Sequence, residues 1–473
     1  VFLAIFKKEF LDHMLGFRFA IAAALCLILM ITSIVVLAGD YVARRDDFQR
    51  NMTAYKTEAE QERSYMNLAR HGIKVDRPPA KLQIPAYGLE KDPDKTARVP
   101  ASGIPKVLHE LYLNPLLSLF PVADVIFVVA IVISLLAFIV SYDAVSRERE
   151  EETIKLLMSY NVPRDRLILA KWLGGYVSLA IPFLLSVGIG AVIILLANID
   201  FVGQDWVTFG LLVAVSLLFM AAMFSIGLFV SCICRYSSTS ITVLILLWVG
   251  FVLIIPNVSP YVGAELVPVA PFSVVETEIR QKTSDAMHVF FRKMHESRGD
   301  LMQAFRAGGA PTDEARKKLM ELIETARKEV QGTIDTIEQG ELAEFTREQN
   351  RQVTVTKNIS RISPIAAYVY ATTDIAATGI RKQEHFYQAV EQYQREFEQY
   401  VNDKIRNAAM KGFMDFFGGE QDFDVSDIPM FRYREEALAP RLEFSMWDIV
   451  VLAGYGIGFF FAAFVSFMKA DLV

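Results

Sequence analysis

Three cysteines in 473 residues are too few for a disulfide framework. Cys26, Cys232 and Cys234 all lie in or beside apolar runs, where a free thiol acts as a small apolar filler. The sequence contains no GxxxxGK[ST] phosphate-cradling loop, no HExxH and no GxSxG, and His109–Glu110 lacks a second histidine. Nucleotide hydrolysis, zinc-protease chemistry and serine hydrolysis are therefore not written in any recognisable form. Charge of one sign is lacking too: 48 Lys and Arg face 54 Asp and Glu, a net of -6, which argues against a nucleic-acid partner. The apolar runs carry almost no ionisable groups in their interiors; Asp124, Asp143, Arg235 and Asp448 fall near the ends. Ion-coupled carriers place charge inside the bilayer, so a secondary transporter is disfavoured and a path for something amphiphilic or bulky fits better.

What is present is apolar bulk interrupted by charge. The chain is 53% apolar, above the usual range for soluble domains, yet 22% of it is charged. Alternating membrane and water-facing segments reconcile the two. Six runs are long enough to span a bilayer: 17–38, 122–142, 172–197, 207–234, 241–255 and 447–468. The first has no small-residue cleavage signature after it and reads as a retained signal anchor. Residues 1–16 suit a cytoplasmic amphipathic helix on the membrane surface, with Phe2, Ile5, Phe6, Phe10 and Leu11 toward lipid and Lys7, Lys8 and Asp12 toward water.

Short loops set the orientation. Lys7, Lys8 and Arg18 precede the first span, and the 143–171 connector holds six basic residues. Arg235 and Lys469 share that side, whereas the opposite short loop, Asn198–Trp206, has no Lys or Arg. The positive-inside rule puts both termini and the connector in the cytoplasm. Segments 39–121 and 256–446 then lie outside. In the first, apolar residues from Tyr41 to Ala69 recur at helical spacing, so the first span continues beyond the membrane; Pro78, Pro79, Pro85, Pro93 and Pro100 follow, predicting loop with a short strand at most. In the second, helices are predicted near Val274–Phe305, Thr312–Asn350 and His385–Phe416. The fold class is an all-α integral membrane protein with six transmembrane helices and a mainly helical extracytoplasmic domain built from both segments.

The most informative stretch is the connector, DAVSREREEETIKLLMSYNVPRDRLILAK, with twelve charges between two spans. Each would cost about 2.5–3.5 kcal/mol in hydrocarbon, so the segment must face water. Its acidic-basic cluster Glu148–Glu152, then Thr153, Leu156–Leu157, Pro163 and Lys171, resembles the connector of permease subunits of ABC-2 type ATP-binding-cassette transporters. Glu152 stands where that family often has Gly. A second stretch, Arg361–Phe397, is similar to the outer region of a bacterial subgroup with enlarged external loops, grouped with permeases linked to multicopper-enzyme maturation and gliding. The resemblance implies that the connector is a coupling helix. Glu148, Arg149, Glu151 and Glu152 would pair with a separate ATPase, Leu156 and Leu157 would enter a groove on it, and Thr153, Pro163 and Arg164 complete the segment. The alternative is an ordinary solvated loop.

The same resemblance implies no catalytic residue and no cofactor in this chain, with ATP and Mg bound by the partner ATPase. It also implies a second permease copy or a similar permease, the bacterial inner membrane, and export of an unidentified substrate. Two rival readings are ATP-driven mechanotransmission to a periplasmic partner without transport, and a passive membrane scaffold or receptor.

Two further patterns need weighing. Gly454 and Gly458 form a GxxxG in the last span and predict a helix-packing face; Gly174, Gly175, Gly188 and Gly190 do the same in the third, where Pro182 predicts a kink. Met287–His288 and Met294–His295 are soft-ligand pairs two helical turns apart, about 10.5 Å, too far for one ion. No metal site is expected, because such residues are far more often core or solvated helix positions.

Overall fold

The computed structural model describes residues 2–62, 64–91, 95–108, 122–153, 163–197, 199–306, 313–411 and 426–469, and the side-chain surroundings of the same residues except 18, 22, 91, 107–108, 293–306, 313–324, 327 and 408–411. They divide into two compact units, residues 1–258 with 360–473, and Ser259–Ile359.

The first unit is a helical bundle with a small distal lobe. Helix α1 (Phe2–Met14) leads into α2 (Phe17–Gln61). At 45 residues, α2 is about 68 Å long, so it crosses a bilayer and continues well past it. Helix α3 (Tyr65–His71) and strands β1 (Ile73–Asp76), β2 (Thr96–Val99) and β3 (Lys106–Leu108) follow. The second span, α4, runs through Val125–Phe127, a π-helical stretch Val128–Ile133 and Ser134–Ser141. A short helix, α5 (Ser146–Glu150), turns the chain toward α6 (Arg164–Leu196) and α7 (Gly203–Ile233). Helix α8 begins as Ser237–Val249, passes a second π-helical stretch, Gly250–Ile254, and continues as Ile255–Leu266. The last elements of the unit are α11 (Pro364–Ile375), α12 (Ile380–Lys411) and α13 (Leu438–Lys469).

Among the described residues, six helices are long and apolar enough to cross a membrane: Phe19–Gln61, Val125–Glu150, Arg164–Leu196, Gly203–Ile233, Ser237–Leu266 and Leu438–Lys469. The chain is a multi-pass, all-α membrane protein. The fifth span is longer than its apolar run, because Asn257, Ser259 and Pro260 continue the helix. Pro182 does not interrupt α6.

Helix α7 is apolar all round and sits at the centre, packed on α13, α4, α11 and α6. Phe219, Met223, Phe224 and Leu228 are fully buried there. Two glycines let its neighbours close in. A Cβ on Gly227 would lie 1.8 Å from Ser141 Oγ, and one on Gly175 would lie 2.3 Å from the Phe224 ring. By contrast, α8 and α13 present exposed apolar side chains such as Leu246, Ile457 and Phe461, as lipid-facing helices do.

The distal lobe is where the sequence expectation of loop needs correcting. Strands β1, β2 and β3 form an antiparallel sheet with Ile73 opposite Val99 and Ala97 opposite Val107. Prolines frame these strands without entering them, which is why so short a sheet fits in a proline-rich segment. Its core joins both long segments: Ala59, Leu68, Val75 and Val99 pack with Phe386, Val390, Tyr393 and Phe397 of α12. Those four α12 residues recur at the helical spacing read from the sequence.

The second unit is an antiparallel helix pair. It comprises the end of α8, α9 (Phe272–Arg306) and α10 (Asp313–Ser360, the last residue belonging to the bundle). Gly263 meets Thr356, Gln352 Nε2 donates to Val267 O at 2.8 Å, Phe272 packs on Phe345, and Lys282 pairs with Glu341 at 2.6 Å. Val275, Ile279 and Ile334 are its buried apolar residues among those described. The 259–359 stretch stands as a compact unit of its own.

Candidate functional site

The connector's charges do not all face water. Ser146–Glu150 forms a single helical turn and a half at the end of the bundle that carries α1 and the last turn of α13, and three other helices hold it there. Its N-terminus is capped from outside: Ser231 Oγ, on α7, accepts the backbone N–H groups of Val145 at 3.0 Å and Ser146 at 3.1 Å. Glu150 returns the favour to α8, its Oε2 accepting the N–H of Ser237 in the first turn at 3.1 Å, where a carboxylate also meets the positive end of the helix dipole. Arg149 Nη1 donates to the Cys234 carbonyl at 3.4 Å.

The strongest tie is a buried ion triad. Lys171 Nζ, on α6, lies 2.7 Å from Glu148 Oε1 and 3.0 Å from Glu9 Oε1 of α1. The Lys171 side chain is 2% exposed, Glu148 14% and Glu9 12%. Three elements far apart in sequence thus share one desolvated contact. Such a triad adds little net stability, because desolvation offsets the Coulomb gain, but it fixes register and is costly to break from one side. Burial holds the nearby His13 imidazole below its usual value of 6.5, against the opposing pull of Glu9 and Asp143.

This geometry redistributes the residues singled out in the sequence. Glu148 and Arg149 point inward. Arg149 Nε and Nη2 and Glu148 Oε2 are buried without a hydrogen-bond partner among the described residues. Both side chains have partners inside the chain, for α5 is short and two of its faces are taken by α6 and α7. Arg147, Glu150, Glu151 and Glu152 are exposed, with Arg147 Nε 2.9 Å from Glu151 Oε1. Thr153 Oγ1 donates to Glu148 O at 3.3 Å and closes the turn. Leu156 and Leu157 lie outside the described residues. Pro163 occupies the N-cap of α6, and Arg164 Nη1 donates to the Met468 carbonyl at 3.1 Å, satisfying an end group of α13.

Glu152 has φ 55°, the left-handed region that suits glycine. The residue that departs from the resemblance sits where the backbone itself asks for Gly. Nothing in the local sequence signals that conformation, nor that Glu9 and Ser231 belong to this site, since tertiary packing alone brings them there.

The remaining candidates are dispersed. Among the described residues no atom lies within 4 Å of where a Cβ on Gly454 or Gly458 would stand, whereas one on Gly456 would lie 3.7 Å from Ala222. Met287 is half-buried and His288 exposed; the side chains of Met294 and His295 lie outside the described residues. Among the described residues no group of three or more His, Cys, Asp or Glu is placed to hold a metal ion.

At the opposite end of the bundle, α11 is buried between spans. Tyr368 OH lies 2.8 Å from Ser216 Oγ on α7, and its ring stacks on Phe219 at 4.5 Å. Ser363 caps α11 through Ile365 N and donates to Phe251 O in the π-helical stretch of α8 at 2.6 Å. Arg361 grips the fully buried Asp448 of α13 with two nitrogens, at 2.5 and 3.0 Å.

Six long apolar helices with charge gathered at their ends define a multi-pass membrane protein. A family model for ABC-2 family transporter proteins matches residues 3–472, and the chain belongs to that family. The comparison with curated proteins gives no match.

Proposed function

We propose that this chain is the permease subunit of an ATP-driven exporter, and that α5 with the turn Glu151–Thr153 receives the motion of a separate ATPase that binds ATP and Mg. Both termini and α5 lie in the cytoplasm of a bacterial inner membrane in this reading, and the distal lobe and the 259–359 unit lie outside. The observation that carries it is the threefold attachment of α5: to α7 through Ser231, to α8 through Glu150, and to α6 through Lys171, which in turn holds Glu9 of α1. A solvated loop has no need of such ties, whereas a lever needs them all. The exposed charges Arg147, Glu150, Glu151 and Glu152 supply the rim of the docking face. A second permease, identical or similar, completes the membrane unit.

Charge reversal by Glu151→Lys with Glu152→Lys tests the proposal in the purified complex. ATPase turnover should fall while the fold persists. Unchanged assembly and unchanged turnover would leave α5 as a plain connector.

One observation favours a second reading. Helix α2 runs unbroken from the α1 end of the bundle into the distal lobe, where Ala59 joins the core. A rod of that kind can transmit ATP-driven motion to an external partner with nothing crossing the membrane. Reconstituted vesicles separate the two readings: accumulation of a substrate that also stimulates ATPase activity supports export, and movement of the lobe without flux supports transmission.

A further inference from the structure

The distal lobe encloses a cavity of about 20 Å³ whose lining includes Arg44, Phe48, Asp76, Arg77, Glu90 and Lys95. Its unusual member is Arg77. The side chain is 4% exposed, and its guanidinium lies over the Phe386 ring, 5.7 Å from the centroid. Among the described residues the nearest carboxylate is Glu90, at 4.0 Å, beyond hydrogen-bond reach. Glu90 is already committed to Lys382, itself buried. Asp76, next to Arg77 in sequence, is committed too: its oxygens accept Asn51 Nδ2 at 2.8 Å, Tyr55 OH at 3.1 Å and Thr96 Oγ1 at 2.6 Å. The Arg77 guanidinium therefore makes no hydrogen bond among the described residues, although it carries five N–H donors in a planar fork.

An arginine held over an aromatic face, buried and without an acceptor, is arranged for an acceptor that arrives from elsewhere. The chemistry of the fork selects a planar, two-oxygen anion. Size agrees, since a cavity of this volume holds about one or two waters, enough for the tip of a ligand and too little for a whole solute. Phe48 and Pro79 add an apolar wall. We propose that this cavity is a binding site for a carboxylate group, received by the Arg77 fork with Lys95 on the lining, and that the distal lobe thereby recognises carboxylate-bearing molecules. The carboxylate belongs either to a small organic acid or to an acidic side chain of a polypeptide. The site lies within the distal lobe and does not depend on how α5 is used.

The test is calorimetric titration of the full chain in lipid nanodiscs with sodium acetate and with the blocked peptide acetyl-Gly-Glu-Gly-amide, against sodium phosphate and chloride at equal ionic strength. Saturable binding of acetate or peptide is expected, at least tenfold weaker in Arg77→Met, whose unliganded melting temperature is followed in parallel. Should that variant fail to fold, Phe48→Trp, which narrows the cavity and spares the fork, must abolish the same binding. Acetate binding as well as the peptide, or better, identifies a small acid as the guest; a peptide that binds at least tenfold more tightly identifies a protein side chain. Absence of saturable binding to both, an equal response to phosphate, or binding unaltered by Arg77→Met and by Phe48→Trp would overturn the site.

Discussion

Lys171 Nζ stands 2.7 Å from Glu148 Oε1. That contact ties the start of the third span to the first turn of the charged connector, and Glu9 brings the amphipathic first helix to the same nitrogen at 3.0 Å. Any displacement of α5 must therefore move α6 and α1 with it or break a buried ion contact. The pairing turns a charged loop into a joint.

Removing the cation should expose the cost of that joint. Lys171→Met leaves two buried carboxylates uncompensated and should destabilise the bundle by about 3–5 kcal/mol, whereas Glu9→Gln, Lys171→Met and Glu148→Gln together should recover most of the loss. Thermal unfolding of the two variants in nanodiscs, compared with wild type, reads the difference. Equal destabilisation of the single and triple variants would show that Lys171 matters for packing alone.

Glu152 should be improvable. Its φ of 55° costs a side chain about 1–2 kcal/mol that glycine does not bear. Glu152→Gly is expected to raise the melting temperature or hold it steady, and Glu152→Val to lower it, because a β-branched residue fits that region worst. The same melting curves decide; a lower value for glycine would mean that the Glu152 side chain contributes more than its strain.

The small residues make opposite predictions at two places. Gly227→Ala drives a methyl into Ser141 and should cost about 1–3 kcal/mol, relieved by Ser141→Gly. Gly454→Ala and Gly458→Ala meet open space among the described residues and should leave the chain's unfolding unchanged. Loss of a dimer band on native electrophoresis in the last two, with unfolding unaffected, would locate a second permease on that face of α13.

Alkaline stability should be limited by the distal lobe. Burial raises the Tyr433 phenol to about 12 and raises Tyr393 as well. An acid whose folded pKa lies above its unfolded value of about 10 contributes stability below pH 10 and loses it as pH rises toward the folded value, by about 1.4 kcal/mol per pH unit for each group. Melting temperatures should therefore fall between pH 10 and 12, and Tyr433→Phe should flatten that slope. A slope that is the same in the variant would remove Tyr433 from the account.

The sequence made the spans legible because twenty apolar residues in a row have one physical use. It made the α12 stripe legible for the same reason, Phe386, Val390, Tyr393 and Phe397 repeating at helical spacing. It did not reveal the three-stranded sheet, whose strands are three or four residues long and lie between prolines. Nor did it reveal which connector charges turn inward. Glu148 and Glu151 are alike in sequence, and only the position of Lys171 more than twenty residues later distinguishes them. Partners of that kind are set by tertiary approach, not by local pattern. The burial of α11 was hidden too, because Tyr368 and Ser216 find each other across 152 residues.

The most direct measurement is cross-linking from position 151. A cysteine placed there, in a variant lacking Cys26, Cys232 and Cys234, should be captured by a short bifunctional reagent onto a nucleotide-binding subunit in the native complex, with the yield changing when ATP is added. Labelling of that cysteine from the outer face of intact cells, with no nucleotide-binding subunit captured, would contradict the assignment of α5 as the point where ATP-driven motion enters the membrane.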